Sequence, residues 1–363
     1  MIAGVQQFIS RGSTVASLLL LTLAISAAAA NTPTTSVIHT QWDIEALAMS
    51  GSRIAYDVSG EYVQPSPKGC KNKVLVRRLG AGTTQRVSGK NTCSVDSSSG
   101  GNGVLELAFV GGRFAWIANE GGNTYSDDYL RTASLPRPRE KQLAHANRSG
   151  SDPDARAGNW IGDLVGSGNL LAVNRWSTDA KGMVKRSELD LVGANGLRRM
   201  VLGAKAIFAQ SADSGRIAVL RADGTVGIYD ASGKPLMEVA PKSAREVALR
   251  GKDLLVLTKT RTLEIYDSRS GAYRRSWPVR AGAATLDAYA GLAAYADHPK
   301  FSGQRFRVHV LQLTTGKDVV VGTGTYEGRP RRDVELEAPG LVYAKNPHTL
   351  VFIPRGRLLA AVS

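Results

Sequence analysis

From about residue 45 onward, short apolar runs alternate with glycine-containing turns. The clearest repetition sets Ala209–Lys234, containing SGRIAVLRADGTVGIYDASGK, beside Ala248–Arg274, containing GKDLLVLTKTRTLEIYDSRSGAYR. Both read as apolar strand, turn, apolar strand ending in Tyr-Asp, then Ser-Gly, so that Tyr229-Asp230 matches Tyr266-Asp267. Carried outward, the pattern gives seven units of about 46 residues. Their second strands start at Arg53, Arg113, Asn169, Arg216, Asp253, Gly291 and Gly340, with a glycine at or just before each start. Third strands include KVLVRRL from Lys73, YLRTASL from Tyr129, VKRSELDLV from Val184, RVHVLQL from Arg307 and HTLVFIP from His348.

No run of twelve or more residues after position 30 holds a clean 3.6-residue period, which argues against helical solenoids. Four short strands per unit, repeated seven times, predict an all-β, seven-bladed β-propeller of four-stranded blades, with a pair of β-sandwiches as the rival architecture. The turn-and-strand signature VGIYDASGK (Val226–Lys234) and LEIYDSRSG (Leu263–Gly271), with the looser VHVLQLTTGK (Val308–Lys317), resembles the WD40-like and quinoprotein-like propellers of bacterial envelopes. The Trp-Asp and Gly-His signatures of true WD40 repeats and the tryptophan motifs of quinoprotein enzymes are missing. The resemblance therefore implies a fold and no activity.

Residues 1–30 read as a secretory signal peptide: Arg11, an apolar run from Val15 to Ile25, then four alanines ending at Ala30. Residues 31–41 then form a linker and 42–363 the propeller, with an uncleaved N-terminal anchor as the alternative. The expected location is secreted or extracytoplasmic, at the cell envelope, with no membrane span after cleavage. The formal charge is +15, and losing the signal with its single arginine leaves +14. That surplus favours anionic partners. Export argues against nucleic acid as one of them, and a monomer is expected.

Export also makes a disulfide the default for Cys70 and Cys93. A two-residue turn at Ala81-Gly82 would set Val76 opposite Val87 and Cys70 opposite Cys93 in one register.

Turns between first and second strands are tight, whereas the long loops all fall on the other face: Ser59–Asn72, Ser88–Asn102, Asn119–Asp128, Ala144–Asn159, Arg175–Lys185, Asp297–Gln304 and Gly322–Arg332. They form one crescent, which is where function concentrates on a rigid scaffold. The crescent carries Tyr62, Tyr125, Trp160, Trp176, Phe301 and Tyr326, aromatics suited to sugar stacking or protein contact. Arg329, Arg331 and Arg332 add a grip for phosphate, sulfate or carboxylate. Asp127, Asp128, Asp152 and Asp154 are weak calcium candidates and read better as solvated loop acids.

First strands, which line the channel of a propeller, carry Glu45, Glu106, Asp163, Glu246, Asp287 and Glu335. Such a ring either accepts hydrogen bonds from neighbouring backbone or performs acid–base work. The chain has no GxxxxGK[ST], GxSxG or HExxH motif, and no cofactor is expected. Two functional readings follow. One is a binding module whose loop-rich face recognises a protein or an anionic or carbohydrate-like partner at the cell surface. The other is a hydrolase or lyase using Glu106 and Asp163 with His298. GRLLAAVS (Gly356–Ser363) reads as the last outer strand, closing the ring within the final unit.

Overall fold

The computed structural model describes residues 35–41, 43–58, 73–88, 102–121, 125–135, 137–149, 157–193, 196–201, 207–298, 303–325 and 334–363. The signal-peptide segment, Cys70 and Cys93 lie outside them, as do Tyr62, Asp152, Asp154, Phe301, Tyr326, Arg329, Arg331 and Arg332. Among the described residues the chain is nearly all β, with five four-stranded antiparallel sheets, one eight-stranded sheet and a single short helix. No described helix is long and apolar enough to cross a membrane.

After β1 (Ser36–His39), the strands run in groups of four. The first group is β2 (Leu47–Ser50), β3 (Arg53–Val58), β4 (Lys73–Arg78) and β5 (Thr84–Arg86). The second is β6 (Asn102–Val110), β7 (Arg113–Gly121), β8 (Tyr125–Ser134) and β9 (Lys141–Ser149). The third is β10 (Ala157–Ser167), β11 (Leu170–Thr178), β12 (Val184–Gly193) and β13 (Gly196–Val201). The fourth is β14 (Ile207–Asp213), β15 (Arg216–Arg221), β16 (Val226–Asp230) and β17 (Pro235–Val239). The fifth is β18 (Ala244–Arg250), β19 (Asp253–Thr258), β20 (Thr262–Asp267) and β21 (Tyr273–Pro278). The sixth is β22 (Ala283–Tyr289), β23 (Leu292–Asp297), β24 (Arg305–Gln312) and β25 (Asp318–Thr325). Last come β26 (Val334–Glu337), β27 (Gly340–Asn346), β28 (Thr349–Pro354) and helix α1 (Arg355–Val362). The second and third strands of every group fall where the apolar runs place them.

Two local devices explain the repeated turns. Gly51, Gly111, Gly168, Gly215, Gly251 and Gly291 all have positive φ between first and second strands, a conformation that a Cβ penalises. The aspartate that ends the third strand in the two clearest repeats caps the following turn with its side chain. Asp230 Oδ1 accepts the amides of Ser232 and Lys234 at 2.8 and 2.9 Å, and Asp267 Oδ1 those of Arg269 and Ser270, both at 3.0 Å.

The first strands pack side by side in a closed cycle: β2 on β6, β6 on β10, β10 on β14, β14 on β18, β18 on β22, β22 on β26, and β26 on β2. The core is divided accordingly. Each cluster of buried side chains bridges two consecutive groups, as with Phe109, Phe114 and Trp116 against Val74 and Val76, or Leu255 and Ile265 against Tyr295 and Leu311. Burying one such side chain contributes roughly 1.5–3 kcal/mol. The molecule is therefore held by face-to-face packing of twisted sheets rather than by one central core.

Three expectations are corrected. The outer strand beside β28 is β1, from the segment read as linker, with Val37 opposite Val351 and Ile38 opposite Leu350. Gly356–Val362 is helical instead, because Leu358 and Val362, four residues apart, seat one helical face on the cluster containing Val351 and Ile353. The β4–β5 hairpin pairs Val76 with Gln85 rather than with Val87. Its turn is longer than two residues, with Gly80 and Gly82 both at positive φ and the Arg78 amide donating to Thr83 O at 3.0 Å.

Candidate functional site

In three of the segments read as long loops, described residues at both ends are strand extensions instead: 119–121 and 125–128, 144–149 and 157–159, 175–178 and 184–185. Strands β7 to β12 run for 9 to 11 residues, against 4 to 8 for the first three strands of the other groups. At their far ends Ala157 pairs with Ser149 and Gly158 with Arg148, which fuses the second and third groups into the eight-stranded sheet. Gly158 permits the approach: at φ +140° its missing Cβ would sit 2.6 Å from the Asn147 carbonyl oxygen. The result is a β-wall built from the far ends of β7 to β12.

Asp127 and Asp128 belong to this wall, on β8, and they are not solvated loop acids. Asp128 is fully buried and Asp127 Oδ1 takes His145 Nε2 at 2.7 Å and Asn147 Nδ2 at 2.9 Å. Donors alone surround Asp128: Asn119 Nδ2 at 2.7 Å, the Ile161 amide at 3.3 Å and the Arg148 guanidinium. A carboxylate so placed satisfies a buried cation and two dipoles at once. Among the described residues no group of three acids, histidines or cysteines converges as a metal site.

Arg148, fixed by Asp128, lies flat over Trp160 with its guanidinium carbon 3.7 Å from the ring centroid. Trp160 stacks on Trp176 of the next strand, centroids 5.8 Å apart and planes 6° from parallel, and donates from Nε1 to Thr178 Oγ1 at 2.9 Å. Trp176 is the member of this row that lines the central cavity. The order Asp128, Arg148, Trp160, Trp176 is thus a buttress running from buried charge to a cavity-lining indole. Behind it Arg131 joins Glu120 and Glu140, and Tyr129 stacks on His145 at 4.8 Å. Tyr125 opens β8 at the wall's rim, 38% exposed. Of the sequence candidates, Tyr125, Trp160, Trp176, Asp127 and Asp128 therefore meet in one wall. Arg148 was not among them.

The cavity inside the cycle of first strands has a volume of about 730 Å³. Seven carboxyl groups line it against three guanidinium groups. Several acids are architectural. Glu106 accepts the amides of Asp163, at 2.9 Å, and Leu164 with its two oxygens. Glu246 accepts Leu286 N at 2.8 Å and Asp287 accepts Leu336 N at 2.7 Å. In the fourth group, where Ala209 replaces the acid, Ser211 Oγ accepts Leu249 N at 3.0 Å. Each ties one first strand to the next. Burial raises the pKa of Glu246 against the lowering pull of these amides.

Glu106 and Asp163 thus adjoin in the cavity, while His298 lies elsewhere, at the end of β23 and 5.9 Å from Phe306. The structure does not assemble the acid–base trio.

Arg250 crosses the end of the cavity formed by the first-strand C-termini. Its Nη2 reaches Glu337 at 3.0 Å and Asp287 at 3.3 Å, Nη1 lies 3.9 Å from Asp213, and Nε donates to Ala288 O at 2.7 Å. Burial raises the Glu337 pKa to about 7, with Arg250 opposing and Asp287 reinforcing the rise. A raised carboxyl pKa contributes stability below the ordinary value near 4.5, which is lost as pH climbs through 7. The unfolding free energy from denaturant titrations should fall across that window by on the order of 2 kcal/mol, and Glu337→Gln should flatten the decline. An unchanged slope in the variant would refute the assignment.

No family model matches the chain, and no curated protein matches it. Among solved structures, a WD40 propeller-like chain in a crystal structure of the mitotic checkpoint complex is similar over 98% of this chain and 99% of its own, at 11% identity and a TM-score of 0.54. The computationally designed Ika8 protein is similar over 86% of this chain and 97% of its own, at 13% identity and a TM-score of 0.48. At such identity the first likeness speaks to the fold alone, and it fits a β-propeller.

Proposed function

We propose that the chain is an exported, seven-bladed β-propeller that acts as a binding module at the cell envelope. The cyclic packing of the first strands supports seven blades. β1 is then the outer strand of the last blade, so that the two chain ends close the ring together. The partner is carbohydrate-like or anionic, and it docks on the face that carries the β-wall. The observation that carries this reading is the Arg148–Trp160–Trp176 row, a pre-ordered aromatic surface held by buried charge at the cavity mouth. Rigid aromatic platforms bind with little ordering cost. The formal charge of +15 draws anionic polymers towards the molecule without specifying one.

The test is a screen of envelope glycans and anionic wall polymers across a salt series. A specific ligand should survive moderate salt and lose about tenfold or more in affinity on Trp176→Ala. Binding that fades smoothly with salt and ignores Trp176 would reduce the interaction to charge alone and overturn the proposal.

A further inference from the structure

We infer that the central cavity is itself a saccharide site, and that it takes the end of a glycan bearing free amino groups rather than acidic ones. The inference rests on the binding-module reading and names the ligand chemistry of that face.

Aromatic surface and charge at the cavity carry it. Trp176 contributes its indole from β11, and Phe208, at the start of β14 on the neighbouring group, lines the same space with 38% of its surface exposed. An exposed phenylalanine in a concave polar site is a surface for the apolar face of a ring. Arg245 and Glu246, at the start of β18, line the cavity beside them. Arg245 donates to Ala283 O at 3.2 Å, and Glu246 is held by the Leu286 amide, so neither head group is loose. At the opposite end Arg250 is locked among Asp213, Asp287 and Glu337.

The volume, about 730 Å³, is that of a small-ligand pocket. Its lining inverts the charge of the molecule, with seven carboxyl groups to three guanidiniums inside a chain of formal charge +15. Such a site discriminates by sign. Uronate or phosphate groups meet carboxylates in a confined space, while an ammonium gains both their field and a cation–π contact with Trp176. The basic exterior and the acidic interior then do different things: one attracts a polymer and the other selects its end.

The experiment titrates the purified protein with three probes at matched ionic strength: a glucosamine hexamer with free amines, the N-acetylglucosamine hexamer and an oligogalacturonate. The free-amine hexamer should bind about tenfold more tightly than its N-acetylated counterpart. Phe208→Ala, a change at an exposed side chain, should weaken it by a similar factor. Glu246→Gln, at a cavity-lining carboxyl, should shrink the affinity ratio between the free-amine and N-acetylated hexamers, and an unchanged ratio would overturn the inference.

If envelope glycans bind the wall, yet Phe208→Ala is silent or the oligogalacturonate wins, the cavity inference fails and the binding module stands. If no saccharide or wall polymer binds at all, both fail.

Discussion

Replacing Arg250 with Met will destabilise the protein by about 3–5 kcal/mol, the range seen when one partner of a buried charge cluster is removed. Methionine fills the volume of the arginine stem, so the loss reports charge rather than a cavity. What remains is Asp213, Asp287 and Glu337 facing one another across the end of the channel, at sites 12 to 18% exposed. Burial alone would lower the arginine pKa, but Asp287, Glu337, Glu335 and Asp213 more than reverse this, and the net shift is upward. The cluster thus holds the cation tightly, and by reciprocity the cation holds the cluster. Because four strand groups contribute, the variant loosens the ring at several joints. Its cost should be larger at pH 8, where Glu337 is ionised, than at pH 5, where it is protonated. The double variant Arg250→Met with Glu337→Gln should recover part of the loss. Equal denaturant midpoints for Arg250→Met and wild type would show the cluster to be passive.

The strand plan was legible because it rests on local signals. Left-handed glycines before second strands and the aspartate-capped turn after third strands are short-range, and they recur. The acid at six of the seven first strands was visible as a pattern. Its role as acceptor for the next strand's amides follows only once the first strands lie side by side.

Other features were hidden for definite reasons. The extensions Ala118–Gly121 and Tyr125–Asp128 contain Asn, Glu, Gly, Ser and Asp, and they show no apolar alternation. Their strand conformation is stabilised by cross-strand charge and hydrogen bonds, which hydropathy does not register. Leu358 and Val362 carry helical spacing, but eight residues of mixed character read equally well as a strand. Trp160 and Trp176 stood out as aromatics. Arg148 did not, because its partner Asp128 is 20 residues away and only the β8–β9 register brings them together.

That pair sets the second large effect. Asp128→Asn keeps the shape of the side chain and should still cost about 3–5 kcal/mol, because it strips the counter-ion from a guanidinium whose side chain is 7% exposed. The amide cannot repair the site by choosing an orientation. One carboxylate oxygen faces Asn119 Nδ2, the other the Ile161 amide and the Arg148 guanidinium. Whichever way the new NH2 points, it confronts a donor and leaves a buried group unsatisfied. The consequence travels along the row. An unanchored Arg148 no longer presses on Trp160, and the Trp160–Trp176 stack loses the face that holds it. Circular dichroism reads this directly, since stacked indoles give an exciton signal that should weaken in Asp128→Asn under conditions where the protein remains folded. Ligand affinity should then drop although Asp128 touches no ligand, whereas Tyr273→Ala, on the outer strand β21, should change neither signal nor binding. A folded Asp128→Asn protein with an intact exciton signal would mean that Trp176 is positioned by its own strand, and that the buttress is unnecessary.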